Sequence, residues 1–136
     1  MEKPDIIVDA CFLVALWRKN DQNHAWAIKE AKLLPPPWIT CESALSEADH
    51  LLSPDGCANL RIACRRGALQ IKGPEPDGFL PVLDLLEKYS DIPMSVADAC
   101  LVRLTELCQN PVVLTTDSDF KIYRRLGRRV IQTRMP

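Results

Sequence analysis

The stretch IIVDACFLVALW, residues 6–17, decides the fold class of this chain. Its first three residues are apolar and β-branched, and because the run is short it predicts a buried strand that ends at Asp9. The apolar residues from Cys11 to Trp17 continue too far for a loop, so they predict a helix packed closely behind the strand. This strand and helix begin an alternation that continues along the chain.

Hydrophobic periodicity and capping residues predict the other elements. Further strands are predicted at 38–40, 68–71, 112–116 and 130–132, and helices at 24–34, 44–52, 55–66, 80–89, from Ser95 onward and at 118–126. Ser95-Val96-Ala97-Asp98 fits a capping box at the start of a helix. The alternation predicts one α/β domain, residues 1–136, built around a parallel sheet.

Composition excludes several classes of protein. The chain has 136 residues, 47% of them hydrophobic, with 17 basic and 18 acidic side chains. This balance argues against intrinsic disorder, and no apolar run approaches the length of a membrane span. Since the N-terminus has no signal-peptide pattern, we expect a cytoplasmic protein. A net charge of -1 provides no global field for a polyanion, so any nucleic acid must bind through local patches.

The six cysteines form no CxxC pair and no zinc-binding spacing. Each lies among apolar or small residues, as Cys11 and Cys100 do. We therefore expect reduced thiols that serve as small core side chains.

Acidic residues follow two predicted strands. Asp9 comes directly after the first, and Asp117 and Asp119 follow the strand at 112–116. Glu47 and Asp98 lie on helices that can reach the same carboxyl edge of a parallel sheet, where ligands bind. Converging carboxylates repel each other unless a cation compensates them, and Mg²⁺ or Mn²⁺ suits oxygen ligands. Such a site would hydrolyse nucleic acid.

Each acid also has a structural explanation. Asp98 fits the third position of a capping box, and Asp117 and Asp119 flank a predicted helix start. Glu47 lies at the edge of an apolar helix stripe, where a solvated acid is less expected. Only the joint occurrence of these acids favours a site.

Four segments of the chain resemble the PIN-domain family, and more closely its VapC-like ribonuclease toxins from toxin-antitoxin pairs. The segments are IVDACFLVAL (7–16), CESALSEA (41–48), IPMSVADA (92–99) and LTTDSDF (114–120). Their order and separations match the family across essentially the whole chain. The last two segments are the most specific.

The resemblance implies a three-layer α/β/α PIN-like domain with a parallel five-stranded sheet. It implies that Asp9, Glu47, Asp98 and Asp117 form the acidic quartet for Mg²⁺ or Mn²⁺, with Asp119 as a fifth acid. The implied activity is metal-dependent endonucleolytic cleavage of RNA, and the implied partners are a cognate antitoxin protein and a second copy in a homodimer. Many relatives carry a small polar residue or a Gly-Pro pair where this chain has Cys11-Phe12, so a supporting hydroxyl is absent here.

Basic residues are unevenly distributed. Arg61 and Arg65 lie about one turn apart on a predicted helix, and Arg124 and Arg125 belong to a basic C-terminal stretch. They could contact RNA phosphates or simply form solvated surfaces.

Two other functions stay open. The altered Cys11-Phe12 segment is compatible with a catalytically weak PIN-fold module that binds RNA or protein without cutting it. Acids at strand ends also occur in receiver-like phosphoacceptors, although this chain lacks their paired acids after the first strand and their well-placed lysine.

Overall fold

The computed structural model describes residues 3–73 and 75–136. Its elements are β1 (Asp5–Val8), α1 (Ala10–Trp17), α2 (His24–Leu33), β2 (Trp38–Thr40), α3 (Glu42–Leu51), α4 (Pro54–Arg65), β3 (Leu69–Ile71), α5 (Leu80–Lys88), α6 (Val96–Leu107), β4 (Pro111–Leu114), a 3₁₀ helix (Ser118–Lys121), β5 (Arg124–Arg125), β6 (Arg129–Val130) and β7 (Thr133–Arg134). In this part of the chain, no helix has the length and apolar character needed to cross a membrane.

Five strands form a parallel sheet in the order β3-β2-β1-β4-β7. Helices cover both of its faces, which confirms the predicted three-layer α/β/α architecture. The chain runs outward from β1 through β2 to β3, and then returns to place β4 on the other side of β1. The strand order therefore reverses beside the carboxyl end of β1, the usual position of a ligand site in such sheets.

The first strand and helix form the centre of the core, as predicted. Ile7 and Val8 are fully buried in β1, and most of α1 is buried behind the sheet. The ring of Phe12 makes edge-on contacts with the rings of Trp26 and Trp38, at centroid distances of 5.8 and 5.4 Å. This packing holds the short connection through Asp9 in place.

The predicted elements after residue 117 are wrong. The helix predicted at 118–126 is a 3₁₀ helix of four residues followed by the β5–β6 hairpin, whose turn has Leu126 and Gly127 at positive φ. Two contacts with α6 fix this path: buried Arg125 donates to backbone carbonyls there, and the Leu126 N–H donates to Glu106. The strand predicted at 130–132 is also displaced, because the sheet edge is Thr133–Arg134.

All six cysteines lie in the described part of the chain and are free thiols. Cys41, Cys57 and Cys100 are buried, which fits the prediction of small core side chains. Three others are only partly buried, namely Cys11, Cys64 and Cys108.

Candidate active site

Asp9 connects the first strand to the first helix. It follows β1 directly, and its side chain caps α1 by accepting the Ala10 N–H at 2.7 Å. Its other carboxylate oxygen accepts the hydroxyl of Thr115 at 2.8 Å. With 6% of its surface exposed, Asp9 is a buried carboxylate held by two hydrogen bonds.

Thr115 links the two acidic strand ends. Its buried hydroxyl donates to Asp9 and accepts the backbone N–H of Asp117 at 3.0 Å. The side chain of Asp117 in turn accepts the Asp119 N–H at 2.9 Å and so caps the 3₁₀ helix. The sequence provides no signal for this role, because Thr115 is interpreted there as an ordinary residue of the strand predicted at 112–116.

Asp98 has both a structural role and a position in the cavity. It forms the predicted capping box with Ser95: the Ser95 hydroxyl accepts the Asp98 N–H, and Asp98 Oδ2 accepts the Ser95 N–H. The same oxygen accepts the hydroxyl of buried Tyr123 at 3.2 Å. Sequence reasoning did not identify Tyr123, since its only signal was a tyrosine within the helix predicted at 118–126.

One cavity of about 400 Å³ brings four of the five predicted acids together, and we call it the acidic cavity. Its lining residues are Asp9, Cys11, Glu47, Ser95, Ala97, Asp98, Thr116 and Asp117. Glu47 reaches it from α3 with an exposed side chain, whereas Asp119 is not among these residues. Among the described residues that line the cavity there is no lysine or arginine.

The electrostatics of the acidic cavity follow from this arrangement. Burial raises the pKa of Asp9 to about 6, the charge of Asp98 adds to the rise, and the hydrogen bond from Thr115 opposes it. Burial also raises the pKa of Asp98, with a further contribution from Asp117, while hydrogen bonds from Ser95 and Tyr123 oppose it. Ionised carboxylates in this cavity therefore repel one another and favour a cation between them.

The carboxylates of the acidic cavity suit a hard divalent cation, both as oxygen ligands and as negative charges. The acids provide only oxygen ligands, which Mg²⁺ and Mn²⁺ prefer. However, within residues 3–73 and 75–136 no three Asp, Glu, His or Cys side chains are grouped as a ligand cluster.

Cys11 does more than fill the core. It is partly exposed and lines the acidic cavity, where its sulfur accepts the Thr116 N–H at 3.2 Å and lies 3.5 Å from the Thr115 hydroxyl oxygen. Burial and the charge of Asp9 raise the pKa of Cys11 to about 11, so the thiol stays protonated near neutral pH. The thiol thus supports the loop after β4.

The predicted RNA-binding arginines differ in their surroundings. Arg61 and Arg65 are exposed on α4, and Arg61 pairs with Asp49 at 3.2 Å, so their contact with RNA stays a prediction. The Nη1 atom of Arg124 donates to three backbone carbonyls of its own segment. For Arg125 the prediction is wrong, because its guanidinium is buried and bound to carbonyl oxygens of α6 and its C-cap.

Comparisons with known proteins identify the fold. No protein-family model matches this sequence, and no curated protein matches it significantly. A crystal structure of Mycobacterium tuberculosis VapC20, described as a sarcin-ricin loop cleaving toxin, superposes with a TM-score of 0.76 at 18% identity. The match covers 87% of this chain and 94% of that one. This chain therefore has the three-layer PIN-like fold that its resemblance to VapC-like toxins implied.

Proposed function

We propose that this chain is a VapC-like metal-dependent endoribonuclease that hydrolyses RNA phosphodiester bonds. One observation carries the proposal: Asp9, Glu47, Asp98 and Asp117 converge in one cavity where the strand order reverses. The fold shared with a protein described as a sarcin-ricin loop cleaving toxin supports the same function. The oxygen ligands of these carboxylates suit a divalent cation that promotes phosphodiester hydrolysis.

The four acids have two roles in the proposed reaction. Asp9, Asp98 and Asp117 would hold Mg²⁺ or Mn²⁺, which when bound lowers the pKa of water and offsets phosphate charge. Hydrogen bonds from Thr115 and from the Ser95 N–H keep two of these carboxylates oriented. Glu47 reaches the cavity from α3 and would orient the attacking water and accept its proton.

The test compares purified chain with variants in Mg²⁺, in Mn²⁺ and in chelator. Asp9→Asn and Asp98→Asn should lose RNA cleavage, whereas Asp84→Asn, an exposed acid on α5, should cleave like the unmodified chain. Mn²⁺ should also raise the melting temperature of the unmodified chain, and less so that of Asp98→Asn. Equal cleavage by all four proteins would contradict the proposal.

We also propose that the chain is the toxin of a toxin-antitoxin pair. Its expression in a bacterial host should then arrest growth, while Asp98→Asn should not. Co-expression of a small protein encoded beside it should restore growth. Normal growth with abundant, folded, RNA-cleaving protein would argue against a toxin while leaving the nuclease activity in place.

A second candidate function is RNA binding without cleavage by the same fold. The lack of a ligand cluster among the described acids favours it. In that case the chain should bind RNA equally well with and without chelator, and should release no product at high protein concentration. Metal-dependent product formation would exclude this alternative.

A further inference from the structure

A second cavity lies at the same edge of the sheet as the acidic cavity, and we call it the lateral cavity. It has a volume of about 750 Å³, within the usual range of small-molecule sites. Its lining includes Glu42, Ser46, Ile71, Lys72, Phe79 and Leu104. It therefore lies at the carboxyl ends of β2 and β3, whereas the acidic cavity lies at those of β1 and β4.

The two cavities are built from the same two helices. From α3, Glu42 and Ser46 line the lateral cavity and Glu47 lines the acidic one. From α6, Leu104 lines the lateral cavity and Asp98 the acidic one. A shift of two strands corresponds to about 10 Å along the sheet edge, so a ligand chain bound in one cavity can continue into the other.

The lateral cavity combines three kinds of contact. Phe79 is 51% exposed and lines the cavity together with Ile71. Lys72 is exposed and has no acidic partner within ion-pair distance among residues 3–73 and 75–136. Glu42 adds an exposed carboxylate that can accept hydrogen bonds.

We propose that the lateral cavity binds one nucleotide of the RNA substrate, adjacent to the bond cut in the acidic cavity, and prefers a base with an exocyclic amino group. The base stacks on Phe79, Lys72 contacts the neighbouring phosphate, and the amino group donates to Glu42 as cytosine N4 does to carboxylates. Uracil presents an acceptor oxygen instead and is disfavoured. This inference rests on the proposed ribonuclease function and assigns part of its substrate.

An RNA nucleotide fits these groups better than a segment of an inhibitor protein. An apolar peptide side chain would use the ring of Phe79 but would leave Lys72 and Glu42 without a complement. A nucleotide provides a flat face, an anion and a hydrogen-bond donor together. Its backbone also leads directly toward the acidic cavity.

The stacking contact is tested with the full chain and fluorescein-labelled cytidine hexanucleotides in chelator, by fluorescence anisotropy. Phe79→Ala should bind at least about fivefold more weakly, and Phe79→Leu, which keeps apolar bulk without a flat ring, should show the same loss. Leu80→Ala is the matched control, since Leu80 is 70% exposed and is not among the residues that line the cavity. In cleavage assays with Mg²⁺, the Phe79 variants should show a raised KM and an unchanged kcat.

The charged contacts have separate readouts. Lys72→Gln should lower the slope of log affinity against log salt by about 0.7, the value for one phosphate contact on a single strand. Lys29→Gln, an exposed lysine on α2, should leave the slope unchanged. Glu42→Ala should abolish the preference for cytidine over uridine hexanucleotides.

Failure of this inference can be told apart from failure of the proposed function. If the unmodified chain neither binds nor cuts RNA, the ribonuclease proposal itself fails. If it binds and cuts RNA while the Phe79 variants, Lys72→Gln and Glu42→Ala all match it, only the nucleotide site in the lateral cavity is overturned.

Discussion

At the scale of single residues, Thr115 joins the two acidic strand ends of the acidic cavity. Its hydroxyl donates to Asp9 and accepts from the backbone of Asp117, so one buried group sets the separation of two proposed ligands. Tyr123 and Ser95 hold Asp98 in the same way. Three of the four proposed carboxylates, Asp9, Asp98 and Asp117, are therefore oriented by hydrogen bonds to their neighbours.

Replacing Thr115 by valine should disturb that network without changing side-chain volume. The Thr115→Val protein leaves Asp9 Oδ2 without its donor and the Asp117 N–H without its side-chain acceptor. We therefore expect RNA cleavage to fall about 10- to 100-fold. The free energy of unfolding should fall by about 1–3 kcal/mol. Cleavage kinetics and urea unfolding measure the two effects.

Thr105→Val is the matched control for Thr115→Val. Thr105 is also a buried threonine with a hydroxyl hydrogen bond, at Val102, but it does not line the acidic cavity. It should lose stability and keep its specific activity. Equal loss of activity in both variants would show that Thr115 has no special role.

The raised pKa of Asp9 predicts how stability depends on pH in the metal-free chain. Because the pKa of Asp9 rises from 3.8 to about 6 on folding, the folded chain holds this proton more tightly than the unfolded chain. Asp9 therefore contributes up to about 3 kcal/mol to the free energy of unfolding. This contribution is fully present below about pH 4 and is lost as the pH rises through about 6.

Asp9→Asn separates this effect from the other carboxylates. In chelator at about pH 7 the variant should be more stable than the unmodified chain, and at about pH 4.5 the advantage should shrink. Urea unfolding at both pH values measures it. An advantage of the same size at both pH values would contradict the assignment to Asp9.

At the scale of elements, periodicity predicted the strands and helices correctly from β1 to the start of β4. These elements have apolar faces or caps that are visible in the local sequence, such as the capping box at Ser95. The segment after Asp117 has good helix formers, yet Arg125 extends into the carbonyl end of α6 instead. The helix does not form there because helix propensity contributes only a few tenths of a kcal/mol per residue. The hydrogen bonds of the buried guanidinium contribute more.

Arg125→Met should therefore destabilise the C-terminal hairpin. The variant keeps an apolar stem but removes the two guanidinium donors to the Thr105 carbonyl and the one to the Cys108 carbonyl. We therefore expect a loss of about 2–4 kcal/mol in the free energy of unfolding. Arg128→Met, an exposed arginine of the same hairpin, should change it by less than about 0.5 kcal/mol. Similar unfolding midpoints for the two variants would contradict this role.

At the scale of the whole molecule, an ion pair attaches the last strand to the rest of the fold. Glu30 of α2 is 5% exposed, and both of its carboxylate oxygens accept from Arg134 of β7, at 3.0 and 3.1 Å. Arg134 belongs to the basic C-terminal stretch of the sequence, but its guanidinium binds within the chain. This pair connects the edge of the sheet to a helix about a hundred residues earlier in the chain.

Arg134→Met should lower the free energy of unfolding by about 2 kcal/mol, because it leaves the buried carboxylate of Glu30 without its partner. Adding Glu30→Leu should recover much of that loss, which a double-mutant cycle by urea unfolding would measure. Additive losses would mean that the pair contributes little.

The amino-acid sequence alone determined the order of the elements as far as β4, the parallel α/β sheet and four acids of the candidate site. It could do so because strand ends in a parallel sheet meet at one edge whatever fills the loops. Only the tertiary structure decided the C-terminal hairpin, the burial of Arg125 and the hydroxyls that orient the acids. Those features depend on contacts between distant residues, such as the hydrogen bond between Thr115 and Asp9, which lie 106 residues apart. The local sequence around either residue gives no signal of that contact.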